Sequence, residues 1–405
     1  MIKILKKIFI FIFIVLLLAQ LPFIYRRYQF GQLQQKIEAQ NAGRISSSDE
    51  ICRDLKGAIH VHSSLGGHST GQFDELVTAA KENQLDFVVM TEHPSENFDT
   101  SAATLKGEQS GVLFVNGNEL STASDDRFLL VPGSEKAFAE GRVQTPDLLR
   151  AEKAQGKLAF ITYPDRFHSW QSDYDGIEIF NLHTNAKRMN PVMFGLDAFW
   201  SFGVAPEMVM ASYFQRPAQE LRMFDELTQQ RQLTLFAGSD AHSNIGAGLG
   251  TETGDRLFGL KFDPYASVFK LVRTHILLKA AEPLNQENLL RALKNGNAYI
   301  GFDILGDTTG FSFTAETSSD KKIMGESIPG EGSMPQDVTL KIKVPLKSNI
   351  LIIRNGESIN ATAGQNEISY PVKEKGVYRV EVYLDALGSP FDKTPWIISN
   401  PIYIR

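Results

Sequence analysis

From Leu55 onward, short apolar runs alternate with helical patterns over about 240 residues, and this rhythm restricts the fold more than any other feature. Eight strand-like runs fall at 58–61, 87–90, 112–115, 128–131, 158–162, 177–180, 233–237 and 275–278. Between several of them lie helices. Phe73, Leu76, Val77 and Ala80 recur at helical spacing before Glu82. Thr145-Pro146-Asp147 supplies a hydroxyl cap followed by proline in the first turn. A third helix, from Asn285 to Asn295, ends at Gly296, where a left-handed C-cap is expected. This alternation predicts a parallel α/β fold, open or closed as a barrel.

After about Phe311 the pattern changes. Residues 338–344 alternate apolar and polar, 378–383 do so more loosely, and 350–353 form a short apolar run suited to a strand buried on both faces. Asn355-Gly356 is a strong hairpin signal. This last stretch reads as a small antiparallel β domain, sandwich-like. The chain therefore divides into an N-terminal segment 1–30, a polar tether or helix 31–54 containing Ser46, Ser47 and Ser48, an α/β unit 55–305 and a β unit 306–405.

The N-terminus reads as a membrane anchor. Ile8 to Tyr25 is apolar apart from Gln20 and a break at Pro22, and Lys3, Lys6 and Lys7 precede it. As a helix it spans roughly 27 Å, close to the ~30 Å hydrocarbon core. No small-x-small cleavage site follows, which favours an anchor over a signal peptide. Flanking positive charge is nearly balanced, but the very short tail favours a cytoplasmic N-terminus and a catalytic unit outside the cytoplasm.

Net charge is −6, without a Lys/Arg block beyond the N-terminus, so a nucleic acid is not expected as a stable partner. A small phosphorylated substrate is compatible with that balance. The single cysteine, Cys52, excludes an intramolecular disulfide framework and a cysteine-based zinc knuckle.

Histidine carries the chemistry. The chain has eight, and His60, His62, His93 and His242 stand at the ends of predicted strands, where α/β folds build their sites. His60-Val61-His62 puts two imidazoles on one side of an extended segment. His68 follows in a glycine-rich loop, Gly66-Gly67-His68. Glu119 and Asp240 bring carboxylates to the same rim. Mixed imidazole and carboxylate donors suit Zn, Mn or Fe and are too rich in nitrogen for Ca or Mg.

Taken in order, His60-Val-His62-Ser63, Thr91-Glu-His93, Glu119, Gly176-Ile-Glu178-Ile-Phe-Asn181 and Gly238-Ser-Asp240-Ala-His242 resemble the polymerase-and-histidinol-phosphatase (PHP) superfamily. The resemblance covers roughly residues 55 to 305. It implies a distorted seven-unit (β/α) barrel of TIM-like type, with two or three divalent ions at the carboxyl-end rim. Carried over, His60, His62, Glu119 and Asp240 hold one ion, Glu119 bridges, and His68, His93 and His242 hold another. Two departures stand out: Gly67 replaces a common aspartate, and Tyr163-Pro164 replaces the usual His-Pro. A third ion's ligands are thus incomplete, with His168 and His183 as substitutes or loop residues. Glu178 is expected to support the site or to ligate.

The implied chemistry is phosphate-ester hydrolysis, in which a metal-activated hydroxide attacks phosphorus. Glu119, Asp240 and His242 serve the reaction, and Tyr163, Arg166 and Arg188 are candidates to contact phosphate. Two readings compete: a catalytically silent binding protein on the same fold, and a metal-dependent amidohydrolase. The sequence does not select among a sugar phosphate, a nucleotide, a phosphodiester and a lipid headgroup.

Overall fold

Each of the eight apolar runs lies within a strand, or overruns it by one residue, in the computed structural model, which describes residues 2–45, 52–135, 141–244, 246–250, 256–261, 263–330 and 337–405. The serines at 46–48 fall outside the described residues. The elements that build the site are β1 (Cys52–Val61), α3 (Phe73–Glu82), β2 (Phe87–Met90), β3 (Val112–Val115), β4 (Asn118–Ser121), β5 (Arg127–Val131), α4 (Thr145–Lys153), β6 (Leu158–Ile161) and β7 (Gly176–Asn181). They are followed by α5 (Leu182–Lys187), α6 (Pro191–Ser201), α7 (Pro206–Ala211), α8 (Ala218–Thr228), β8 (Thr234–Ala241), α9 (Tyr265–Leu271), β9 (Arg273–Lys279), α10 (Gln286–Asn295) and β10 (Ala298–Gly301). Two helices, α1 (Ile2–Leu18) and α2 (Leu21–Ala42), precede them.

The sheet is mixed rather than parallel throughout. β1 runs parallel to β2 and β8, β2 to β3, β7 to β8 and β6 to β7. β5, however, is antiparallel to both β4 and β6, and β9 is antiparallel to β1 and β10. For β4 and β5 the reason is the connection. Residues 122–126 form a tight turn with Asp125 at φ 61°, too short for the crossover a parallel pair requires. A parallel bridge from Glu92 to Asn118 brings the β4 end of the run back beside β2. The strands bury Phe87, Val89, Phe160, Phe236 and Ile276 in one apolar cluster. Phe160 and Phe236 meet edge to face at 5.3 Å.

Capping follows local chemistry with one correction. Asn285 accepts from the Asn288 N–H at 2.9 Å, and Gly296 closes α10 at φ 74°. Thr145 is not a cap: it lies inside α4, and its hydroxyl donates to Asp126 at 2.6 Å.

The C-terminal stretch is continuous with the sheet. Residues 339–344 and 350–353 belong to a single strand, β12 (Thr339–Arg354), reached after β11 (Ser312–Glu316), with Val338 just before it. It turns at Asn355 (φ 51°) and Gly356 (φ 89°) into β13 (Glu357–Pro371), and the two positive φ values are those of a type I′ hairpin. β14 (Gly376–Tyr383) pairs with β12, and β15 (Ile397–Ser399) pairs with both β14 and β10.

α1 is long and apolar enough to cross a membrane when taken with its continuation, and its residues are exposed. α2 turns Phe23, Phe30 and Ile37 inward, and Phe30 packs edge to face on Phe391 at 6.3 Å. Asn41 accepts from the Asp307 N–H at 2.9 Å.

Candidate metal centre

The strand ends carry the site, but not by simple pleat alternation. His60 sits at φ 66°, and the register of β1 against both β2 and β8 shifts between Ile59 and Val61. This irregularity, not an even extended segment, aims the His60 and His62 rings into one space, with centroids 5.1 Å apart. Asp240 at φ 46° and Tyr163 at φ 51° share the left-handed conformation, unusual for residues with a Cβ. Three such residues in one site mark a backbone held by its surroundings.

His60 Nε2 lies 3.2 Å from Glu119 Oε2 and 3.6 Å from Asp240 Oδ1. His62 Nε2 lies 3.4 Å from that same glutamate oxygen and 3.6 Å from that same aspartate oxygen. Donor atoms of all four residues lie within 4.8 Å of one another, and all four residues are buried. Ligands about 2.0–2.1 Å from a tetrahedral ion stand roughly 3.3 Å apart, so this spacing fits a shared divalent cation. His62 Nε2 and Asp240 Oδ1 are buried without a hydrogen-bond partner, which a coordinated ion would supply.

A second set, His62, His93 and His242, adjoins the first. His62 stacks on His93 at 4.6 Å and on His242 at 4.3 Å, and His93 Nε2 is 3.6 Å from Glu119 Oε2. Glu119 thus faces both sets. His242 Nδ1 meets the Asp240 carbonyl at 2.9 Å, which leaves its Nε2 for a ligand. His68 is exposed, with its ring 5.0 Å from that of His93; the structure gathers His62 rather than His68 into the second set.

Electrostatics favour cation binding. Burial pushes His62 down to about 4, with His60 and His242 reinforcing and Glu119 opposing. Burial, with His62 next, lowers His93 to about 3. Both imidazoles are therefore neutral, the ligating form. Burial opposes charge on His60, but Glu178, Asp240 and Glu119 together hold it well above the usual histidine range. Against the same burial, His60 and His62 bring Asp240 down to about 2, and they likewise keep Glu119 well below the usual carboxylate range.

Glu178 acts from behind. Its Oε1 is 2.7 Å from His60 Nδ1, while Thr162 and Asn181 donate to its Oε2. Accepting from Nδ1–H turns Nε2 toward Glu119 and Asp240, where a bound ion would take the place of the Nε2 proton. Tyr163 donates to Asp240 Oδ2 at 2.7 Å, and Asn181 donates to the same oxygen at 3.3 Å. Burial and then Asp240 push the Tyr163 phenol far up, so it stays a donor. Glu92, within Thr91-Glu92-His93, accepts from the Ser63 N–H, the Ser63 hydroxyl at 2.6 Å and Thr104 at 2.8 Å, fixing the loop after His62.

The donors open into a cavity of about 690 Å³ lined also by Arg127, Arg166, His183, Lys187 and Arg188. Arg188 is partly engaged by Glu220 at 2.6 Å. His168 does not line this cavity; its N–H donates to Asp126. Sequence reading missed Arg127, Lys187, Asn181 and Thr162. Asn181 lay inside a recognised motif and was the one of these with a legible signal.

No protein-family model matches the chain, and no curated protein matches it. Among solved structures it is similar to PsfC from Pseudomonas syringae, at 15% identity and TM-score 0.39, over 62% of this chain and 92% of that one. It is also similar to the lesion-specific endonuclease PfuEndoQ from Pyrococcus furiosus, at 12% identity and TM-score 0.34, over 60% of this chain and 56% of that one.

Proposed function

We propose that the chain is a metal-dependent phosphoesterase of PHP type, its sheet completing a distorted (β/α) barrel, with two divalent ions held by His60, His62, Glu119, Asp240, His93 and His242. The observation that carries this reading is the buried set of donor atoms at 3.2–3.6 Å spacing, beneath a cavity with arginines and a lysine on its wall. When bound, such ions supply Lewis-acid activation of water and neutralise phosphoryl charge. The chain's own groups do the rest. Arg127, Arg166 and Lys187 attract and orient the phosphate. Tyr163 and Asn181 hold Asp240 through Oδ2, so that Oδ1 keeps its direction. His183 stands at the cavity wall, and burial chiefly favours its neutral form, which can accept a proton from the attacking water.

We read α1 as a membrane anchor with the catalytic unit outside the cytoplasm. The packing of α2 against Phe391 and Asp307 supports retention of the N-terminal helix. C-terminal fusions check the orientation: an alkaline phosphatase reporter should be active and a fluorescent reporter dark.

Elemental analysis of the purified full chain, coupled to phosphomonoester and phosphodiester panels with Mn and Zn, tests the function. About two ions per chain with turnover is expected. Metal without turnover on any ester leaves a binding protein, and no metal after reconstitution overturns the site.

A further inference from the structure

The helix α6 is inside out. Its buried residues are Asp197 and Ser201, while Val192 is 68% and Phe199 77% exposed. Val192 and Phe199, at i and i+7, share one outward face, an apolar stripe with the half-buried Leu196 between them at i+4. A helix bathed in water has the opposite arrangement.

Its neighbours say what covers that stripe. Arg26 of α2 pairs with Asp197 at 2.7 Å, Arg27 donates to the Trp200 carbonyl at 3.2 Å, and Trp200 Nε1 donates to Gln20 at 3.0 Å. Gln20 is where the apolar helix α1 gives way to α2. The Phe199 end of α6 is therefore tied to the level at which the chain leaves a bilayer, and an indole there suits the interface. From that end the stripe runs back to Pro191, which lines a second pocket.

This second pocket, of about 290 Å³, is walled by Leu182, Ala186, Phe194, Met210 and Phe214. It shares His183, Asp240 and His242 with the polar cavity. An apolar recess thus opens beside the proposed ligands Asp240 and His242. A wholly polar substrate has no use for it.

We infer that the site takes a phosphate-bearing membrane lipid, its phosphate at the His/Asp/Glu cluster and its alkyl tail in the recess between α5, α6 and α7, delivered from the bilayer along the α6 stripe. This rests on the phosphoesterase reading for the reaction but not for binding. In the reaction, water oxygen bonds to phosphorus, the ester P–O bond breaks, and a water proton passes to the lipid oxygen that leaves as an alcohol.

Two measurements on the metal-loaded full chain in nanodiscs test it. The first is calorimetric binding of n-alkyl phosphonates from methyl to octyl. Full burial of a methylene is worth about fourfold in affinity, so burying about half of the seven added methylenes gives the expected rise of about a hundredfold across the series. Ala186→Phe, which fills the recess, should flatten it, and Val192→Asp with Phe199→Asp should lower turnover of bilayer lipid relative to soluble ester by about tenfold. An affinity independent of chain length overturns the proposal. The second is phosphate release from phosphatidic acid against glycerol 3-phosphate, and cleavage of phosphatidylglycerol against glycerophosphoglycerol. Preference for the lipid member of a pair supports the proposal, and equal turnover of both members overturns it. Chain-dependent binding with no turnover of any ester, soluble or lipid, upholds the lipid site and refutes the phosphoesterase reading instead.

Discussion

Glu178 shows how one side chain outside the donor set controls the site. Its Oε1 faces His60 Nδ1, and its Oε2 already accepts from Thr162 and Asn181. Glu178→Gln keeps the shape but must turn an amide NH₂ either toward two donors or toward the imidazole N–H. Outer partners of this kind are worth about 10–100-fold in metal affinity. A chelator-competition titration should show a loss of that size, and an unchanged affinity would remove Glu178 from the role. Gly238 explains why this carboxylate reaches the histidine at all. A Cβ there would stand 1.6 Å from Glu178 Oε1 and 3.1 Å from the His60 Cβ. Gly238→Ala should therefore displace Glu178, weaken metal binding, and destabilise the fold by about 1–3 kcal/mol. Wild-type affinity and unfolding midpoint in that variant would show that the strands yield without cost.

At the scale of elements, the eight expected strands of the α/β unit were legible because each is a short apolar run between turn residues, and α3 because its stripe repeats at 3.6. Their directions were not. The reversal at β4 and β5 depends on a five-residue turn, and the merging of 339–344 with 350–353 into β12 depends on partners far away in sequence. The same holds at the site. His60, His62, His93, Glu119, Asp240 and His242 announce themselves by residue type at strand ends, whereas Thr162 acts only through a hydrogen bond to Glu178 that no spacing encodes. Another cluster was equally silent. His275 on β9 meets Asp54 of β1 at 2.8 Å and Asp303 at 3.3 Å, with the Tyr299 hydroxyl of β10 at 2.9 Å. Burial opposes its charge, but Asp54 and Asp303 raise it to about 9. A folded pKa above the ordinary 6.5 means this contribution is fully present below pH 6.5 and is lost as pH rises toward 9. The shift corresponds to at most about 3 kcal/mol. Denaturant unfolding at pH 6 and pH 9 should show a decrease of that order, and His275→Gln should flatten the difference. An equally steep dependence in the variant would place the titration elsewhere.

At the scale of the molecule, the C-terminal strands are joined to the rest by more than chain connectivity. Arg379 of β14, 1% exposed, grips both carboxylate oxygens of Asp225 on α8 at 2.6 and 2.7 Å, and donates to Glu381 at 2.7 Å. Glu381 also accepts two bonds from Arg216 and one from Tyr383. Although burial works against its charge, these donors bring Glu381 down to about 2. β15 completes the seam by hydrogen bonding to β10, and Asn400 caps it by binding the Leu235 N–H and carbonyl. A buried guanidinium without its carboxylate is far more costly than the pair is beneficial, so Asp225→Ala should destabilise by about 3–5 kcal/mol. Replacing both partners, Asp225→Ala with Arg379→Leu, should recover part of that loss, because no charge is then left alone. Unfolding followed by fluorescence of Trp170, on the site side, and Trp396, within the seam, reads the consequence. Coincident transitions in the wild type are expected if the seam makes the two parts one cooperative unit. Separate transitions in the wild type, or a double variant no more stable than Asp225→Ala, would show that the network decorates an interface held by its apolar contacts alone.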